Sequence, residues 1–176
     1  MKNLIKRAQN AQCAALVLTA DLQILGQRHK DIKNGLSAPP KPTFYNLLNL
    51  LVKPEWCMKM LNTKRRTFGN IVGHAQNVSD VSSLSAWTAE QFDQCLSWDD
   101  VARLKDLWGG KLIIKGIMEP EDAEMAVKSG ADAIVVSNHG GRQLDGAQST
   151  IKALPEGVSA VGSDIEVWLD SGINSG

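Results

Sequence analysis

Short apolar runs alternate with segments of helical periodicity along this 176-residue chain. Four of the apolar runs predict β-strands, at residues 14–21, 112–115, 133–137 and 165–170. A helix is predicted between the second and third runs, because Pro120 suits a first turn and Gly130 stops a helix. Residues 149–161 predict a further crossover helix despite Pro155 and Gly157. Strands that alternate with helices indicate an α/β fold with a parallel sheet.

Ionisable or hydroxyl side chains stand at the end of every predicted strand: Thr19 and Asp21, Lys115, Ser137 and His139, and Asp170. The carboxyl ends of parallel strands meet at one rim, and in barrels of this class that rim carries the catalytic groups. Any single one of these residues is better explained as the start of a turn. Their recurrence at four successive strand ends favours a shared site.

The run SNHGGRQLDG, residues 137–146, carries the clearest chemistry in the chain. It follows the apolar run 133–136, so it lies where a buried strand leads into a loop. His139 can accept a proton near neutral pH, and Arg142 can bind a carboxylate through two parallel hydrogen bonds. The two glycines between them let the backbone pass close to a flat ligand. The run therefore indicates proton removal from a substrate that bears a carboxylate.

Composition limits the alternatives. Lys and Arg number 19 against 19 Asp and Glu, so the chain shows no electrostatic preference for nucleic acid. The three cysteines have no paired spacing and the histidines no ligand spacing, so neither a disulfide framework nor a metal site is indicated. No apolar stretch reaches the length of a membrane-spanning helix. Residues 1–7 predict an amphipathic helix rather than a signal peptide. The unpaired cysteines favour a cytoplasmic location, where thiols stay reduced.

Several motifs together resemble the FMN-dependent α-hydroxy acid dehydrogenase and oxidase family. They are LTAD (18–21), GQR (26–28) with Asp31, WDDV (98–101), IKGI (114–117), the run 137–146 and DSGI (170–173). The DSGI form and the long segment after the first strand are most similar to bacterial membrane-associated L-lactate dehydrogenases. The match covers nearly the whole chain.

The resemblance implies a role for each catalytic and substrate-binding position. His139 would be the active-site base, and Asp21 would pair with the imidazolium that forms during the reaction. Arg142 and Arg28 would bind the substrate carboxylate. An ion pair with Asp31 is nearly as good an explanation for Arg28.

The resemblance also implies FMN as cofactor. Lys115 would lie beside the flavin pyrimidine ring, although a lysine at the end of a buried strand also suits a carboxylate partner. Thr19 and Ser137 would hydrogen-bond the flavin ring, or else cap a turn. The loop toward the FMN phosphate would begin at Asp170, Ser171 and Gly172. Asn174 stands in that loop where the family carries a phosphate-binding arginine.

A complete (β/α)8 barrel typically needs about 250 residues, and this chain supplies four strands. The resemblance identifies them as the fourth to seventh strands of a TIM barrel, in one domain over residues 1–176 with an insertion at 37–97. The expected activity of the complete barrel is oxidation of an L-2-hydroxy acid, with L-lactate favoured, in a full-length homo-oligomer. The alternative is an inactive fragment or half of a split enzyme. The chain by itself is expected to bind FMN poorly, because an incomplete barrel leaves sheet edges unpaired.

The insertion contains one clear helical pattern, formed by Phe44, Leu47, Leu48, Leu51 and Val52 and ending before Pro54. Cationic residues surround or follow this helix. Residues 43–66 are therefore interpreted as a helix on the cytoplasmic face of the inner membrane, or equally as a helix packed on the barrel or on a neighbouring subunit. Residues 69–97 are polar and are expected to form a lid over the site.

Overall fold

The computed structural model describes residues 2–23, 26, 28–36, 41, 43–64 and 95–173. Its elements in chain order are α1 (Lys2–Asn10), β1 (Ala15–Thr19), α2 (His29–Lys33), α3 (Phe44–Leu51), α4 (Pro54–Asn62), α5 (Trp98–Trp108), β2 (Lys111–Ile117), α6 (Pro120–Lys128), β3 (Ala133–Val136), a 3-10 turn (His139–Gly141), α7 (Thr150–Val161) and β4 (Glu166–Leu169). The chain forms two compact units, residues 1–26 with 93–176 and residues 27–92. The prediction of a single domain with an insertion at 37–97 stays a prediction.

The first unit contains one parallel sheet with the strand order β1-β2-β3-β4. Its register pairs Leu16 with Leu112, and Ile134 with both Ile114 and Val167. All four predicted strands are present, although β2 extends beyond its predicted run at both ends. Strands that follow one another in the chain are neighbours in the sheet, which is the progression that a (β/α) barrel requires.

Local sequence accounts for the helices that connect these strands. At the start of α5, Ser97 and Asp100 form a capping box, and Gly109 ends the helix in the left-handed conformation at φ 70°. In α6, Pro120 occupies the first turn and Lys128 the last. Both the helix after Pro120 and the one at 149–161 are confirmed.

Helix α7 continues through two residues that usually weaken helices. Its buried positions Thr150, Ala153, Gly157 and Val161 recur every three or four residues, so they face the sheet together. A Cβ atom at Gly157 would lie 3.5 Å from the side chain of Val136, in ordinary contact with β3. Packing on the sheet thus outweighs the low helix propensity of this segment.

The core lies between the sheet and its helices. The largest fully buried side chains include Leu112, Ile114, Ile134, Val136 and Val161. A smaller cluster of Ile113, Ala133 and Val135 lies on the other face of the sheet. Strand β3 is buried throughout, which explains why its sequence is a continuous apolar run.

Asp132 joins the amino-terminal ends of β2 and β3. Its carboxylate accepts hydrogen bonds from Lys105 Nζ, from Lys111 Nζ at 2.8 Å and from the Leu112 amide at 2.9 Å. Burial favours the neutral acid, but these three donors outweigh burial and hold the pKa of Asp132 well below its usual range.

The second unit contains α2, α3 and α4. Helix α3 confirms the apolar pattern, and Thr43 and Asn46 cap its start. Helix α4 was not predicted, because Pro54 was interpreted only as the end of the preceding helix. Proline also suits the first turn of a new helix, and Pro54 occupies that position in α4. Most of the predicted lid at 69–97 lies outside the described residues.

Candidate active site

The loops after β1 and β3 bring His139 and Asp21 together, although 118 positions separate them in the chain. His139 Nδ1 lies 3.1 Å from Asp21 Oδ1, and both side chains are mostly buried. When Nδ1 carries the proton of this contact, Nε2 keeps a free lone pair. The pair can therefore present one imidazole nitrogen to a ligand while the carboxylate fixes the ring.

Gly116 makes room for this pair. It has φ +103°, and a Cβ atom there would lie 2.8 Å from Asp21 Cβ. The pairing of β2 with β3 also shifts register between Lys115 and Ile117, so the strand bulges at this glycine. The bulge lets the loop that carries Asp21 pass directly beside β2.

A second cluster of polar groups surrounds Lys115. Its Nζ donates to Ser137 Oγ at 2.5 Å and forms an ion pair with Asp170. Burial raises the pKa of the Asp170 carboxyl, but hydrogen bonds with Lys115, Ser137 and Ser171 outweigh burial and lower it below its usual range. The carboxylate partner considered for Lys115 from sequence is thus Asp170, itself a predicted site residue.

Ser137 and Thr19 also lie at strand ends. Ser137 is fully buried and accepts a hydrogen bond from the backbone amide of His139 at 3.3 Å, so it does brace the turn. Thr19 ends β1 opposite Lys115 in the register. Thr19 is compatible with a flavin contact, whereas the Ser137 hydroxyl bonds Lys115, His139 and Asp170; the flavin roles of both residues stay predictions.

The two arginines are placed differently. Arg142 is exposed, and its guanidinium has no carboxylate partner within the part of the chain that the structure describes. Arg28 precedes α2 in the second unit. The ion pair considered between Arg28 and Asp31 is not formed in the described residues. Gly172 lies after β4 at φ 80°, and Asn174 is outside the described residues.

Two further residues contribute that sequence analysis did not identify. Asn138 Oδ1 accepts hydrogen bonds from the amides of Gly140 and Gly141, at 3.0 and 3.3 Å, which shapes the turn that carries His139. Thr150 Oγ1 donates to the backbone oxygen of Asp170 at 2.8 Å. An asparagine directly before a glycine-rich turn is a recognisable signal, because its side chain commonly closes such turns.

Comparison with known proteins identifies the family of the chain. The family model described as FMN-dependent dehydrogenase matches residues 1–176. The chain belongs to this family. It is 43% identical to an L-lactate dehydrogenase of Pseudomonas syringae pv. syringae (strain B728a) and 44% identical to one of Yersinia pestis (strain Pestoides F). Each alignment covers 100% of this chain and 46% of the relative, so the chain spans about half the length of these curated relatives.

Solved structures with the same fold are also enzymes of 2-hydroxy acids by their descriptions. A crystal structure of the monotopic membrane protein (S)-mandelate dehydrogenase matches with a TM-score of 0.89 and 31% identity, over 98% of this chain and 45% of that one. A mandelate oxidase matches with a TM-score of 0.68 and 32% identity, over 98% of this chain and 40% of that one. The predicted α/β class is confirmed: the four-stranded parallel sheet is part of a TIM barrel.

The donor set around Lys115 fits a flavin. The family is FMN-dependent, and a flavin pyrimidine ring presents oxygen and nitrogen acceptors at its edge. Lys115 offers a cation at the end of its strand, whereas the buried Ser137 hydroxyl is already bonded to Lys115 and to the His139 amide. A cation beside the pyrimidine ring would favour its anionic, reduced form.

Proposed function

We propose that this chain forms one half of an FMN-dependent dehydrogenase that oxidises an L-2-hydroxy acid, with L-lactate as substrate. This half carries the active-site base and residues that bind the flavin. The contact between His139 and Asp21 carries the proposal, because it supplies an oriented base in the same unit as the Lys115 cluster. The L-lactate dehydrogenases among its relatives support the choice of substrate.

In the proposed reaction, His139 Nε2 takes a proton from the hydroxy acid. Asp21 accepts the Nδ1 proton in a hydrogen bond of 3.1 Å and stabilises the positive charge that develops on the ring. When bound, FMN would supply the acceptor for the two electrons and for the second hydrogen of the hydroxy acid. The pair remains mostly buried, which limits competition from water for both charges.

The substrate carboxylate is assigned to Arg142, and the same role for Arg28 stays a prediction. Arg142 is exposed and has no carboxylate partner among the described side chains, so its guanidinium is available for two parallel hydrogen bonds. Lys115 holds the flavin ring edge, with Ser137 and Thr19 beside it. Asp170 keeps the Lys115 ammonium in place through their ion pair.

A chimera tests the proposal most directly. This chain replaces the matching segment of the Pseudomonas syringae relative, with which it shares 43% identity. We expect the chimera to bind FMN and to reduce a dye when L-lactate is added. The variant His139→Gln should keep the flavin and lose about 100-fold to 10,000-fold in kcat, the range that general base catalysis contributes.

Flavin absorbance separates the outcomes. A chimera with full flavin content but no oxidation of L-lactate, L-mandelate or glycolate would contradict the proposed activity. A His139→Gln variant with undiminished kcat would contradict the role of the base. FMN titration of the chain alone tests the expectation of weak binding, and stoichiometric binding would contradict it.

We also propose that α3 and α4 rest on the bilayer surface. Apolar side chains of these helices and of the residue after α3 are strongly exposed: Phe44 71%, Tyr45 81%, Leu51 75%, Val52 75% and Leu61 71%. None of the described helices is long and apolar enough to span a membrane. The monotopic character of the matched (S)-mandelate dehydrogenase supports a surface contact here. The alternative is that these side chains pack on a neighbouring subunit of a homo-oligomer.

Sedimentation of the protein with anionic lipid vesicles distinguishes a membrane contact of α3 and α4 from a contact with a neighbouring subunit. The double variant Leu47→Glu with Leu51→Glu should lose vesicle binding, because it places two charges in the apolar surface. Ile151→Glu with Val158→Glu is the matched control, since these exposed residues lie on α7. Unchanged vesicle binding of the Leu47 and Leu51 variant would exclude the membrane surface, and dissociation of an oligomer would favour the subunit contact.

A further inference from the structure

The turn that carries His139 has an unusual backbone. His139, Gly140 and Gly141 have φ values of 58°, 69° and 69°, all in the left-handed region. Ser171, which follows β4, has φ 88°. Two of these four residues are not glycines, so each is in a conformation that costs free energy for an L-residue. Contacts with the surrounding structure must therefore hold them there.

The Ser171 hydroxyl provides such contacts. Its Oγ accepts a hydrogen bond from the Asn138 amide at 3.3 Å and another from the Gly140 amide at 3.2 Å. The same hydroxyl donates to Asp170 Oδ1 at 2.9 Å. A hydroxyl has one donor and two acceptor sites, so these three contacts use all of its capacity. One side chain thus joins the backbone on both sides of His139 to the end of β4.

We infer that Ser171 is a positioning residue, whose hydroxyl holds the His139 turn against β4 and connects the base to the ion pair of Asp170 and Lys115. The inference rests on the proposed function for its catalytic meaning. It assigns the hydroxyl to the turn rather than to the cofactor, because no donor or acceptor site of the hydroxyl is left for a phosphate group. The backbone amide of Ser171 is a separate group and is not part of this assignment.

Asn138 contributes from the opposite side of the turn. Its Oδ1 also accepts from Gly140, so the Gly140 amide has two acceptors. The Asn138 amide has Ser171 Oγ as its acceptor within the described residues. Loss of the Ser171 hydroxyl should therefore affect the Asn138 amide more strongly than the Gly140 amide, which provides an internal comparison.

Two variants separate the hydroxyl from the backbone conformation. Ser171→Ala removes the hydroxyl and keeps a Cβ at positive φ, whereas Ser171→Gly removes the hydroxyl and relieves the backbone. Ser163→Ala removes an exposed hydroxyl after α7 and is the control. Amide exchange and the 15N resonance of His139 Nδ1 are measured by NMR on the full 176-residue chain. Exchange is normalised to the buried Ile134 amide.

We expect both Ser171 variants to speed exchange of the Asn138 amide about tenfold, as loss of one hydrogen bond implies. The His139 Nδ1 resonance should shift in both variants. A turn that has lost the hydrogen bonds of Ser171 is less firmly held, and this disturbs the contact of His139 with Asp21. If Ser171→Gly behaves like the native chain while Ser171→Ala does not, only the backbone matters and the inference is wrong. Should Ser171→Ala fail to fold, Ser171→Gly decides alone: an unchanged Asn138 amide or His139 resonance overturns the inference. These readouts need no flavin and no turnover, so they stand apart from a failure of the proposed activity.

Discussion

Gly116→Ala tests whether the close passage of β2 beside Asp21 sets the geometry of the candidate site. The glycine has φ +103°, and an added Cβ would lie 2.8 Å from Asp21 Cβ and 2.9 Å from Asp21 Cγ. Cβ atoms in proteins essentially never lie this close to non-bonded heavy atoms, so Asp21 must move. Because Asp21 Oδ1 contacts His139, its movement should also disturb the imidazole.

Gly109→Ala supplies a matched control. Gly109 has φ +70° at the end of α5, and an added Cβ there meets no atom within 4 Å. A left-handed alanine costs about 1–2 kcal/mol, and this is the whole expected effect at Gly109. Overpacking adds about 1–3 kcal/mol at Gly116, which brings its total to about 2–5 kcal/mol.

Urea unfolding of the two variants measures the difference. With a slope of about 2 kcal/mol per molar, Gly116→Ala should unfold at about 0.5–1.5 M less urea than Gly109→Ala. The His139 Nδ1 resonance should move in Gly116→Ala and stay in place in Gly109→Ala. Equal midpoints together with an unmoved His139 resonance would refute the argument that Gly116 makes room for Asp21.

Two further predictions concern the charged groups at opposite ends of the strands. The pKa of Asp132 is depressed by folding, so its contribution to stability is present above the unfolded value of about 3.9 and is lost as pH falls through the lower folded value. Asp132→Asn should therefore lower the free energy of unfolding by about 1–3 kcal/mol at neutral pH and by progressively less below about pH 4. The control Asp106→Asn, at an exposed position, should leave that free energy unchanged. Urea unfolding measures both variants, and a difference between them that does not shrink in acid would contradict this reasoning. In the chimera, Lys115→Met should lower the reduction potential of FMN, because it removes the cation and leaves Asp170 unpaired. Spectroelectrochemical titration measures that potential, Lys152→Met is the control, and an unchanged potential would place Lys115 away from the flavin.

Much of the local structure could be predicted from the sequence. Periodicity indicated all four strands and the helices at Pro120 and Thr150, because burial on one face leaves a repeating apolar pattern. The run 137–146 indicated a base and a cation at one strand end. Helix α4 was missed, since Pro54 is compatible both with the end of one helix and with the start of the next.

The arrangement of the site depended on tertiary structure. His139 meets Asp21 across 118 positions, and Lys115 meets Asp170 across 55, so no local pattern encodes either contact. The hydrogen bonds of Ser171 to the amides of Asn138 and Gly140 arise in the same way, where two loops meet.

The sequence by itself therefore determined which chemical groups stand at the strand ends, because strand and helix periods are properties of neighbouring residues. Tertiary structure alone decided which of those groups touch. The bulge at Gly116 and the ion pair of Lys115 with Asp170 both follow from how parallel strands align in register. That register is set by packing across the whole sheet, and packing of this kind is a property of the folded chain rather than of any segment.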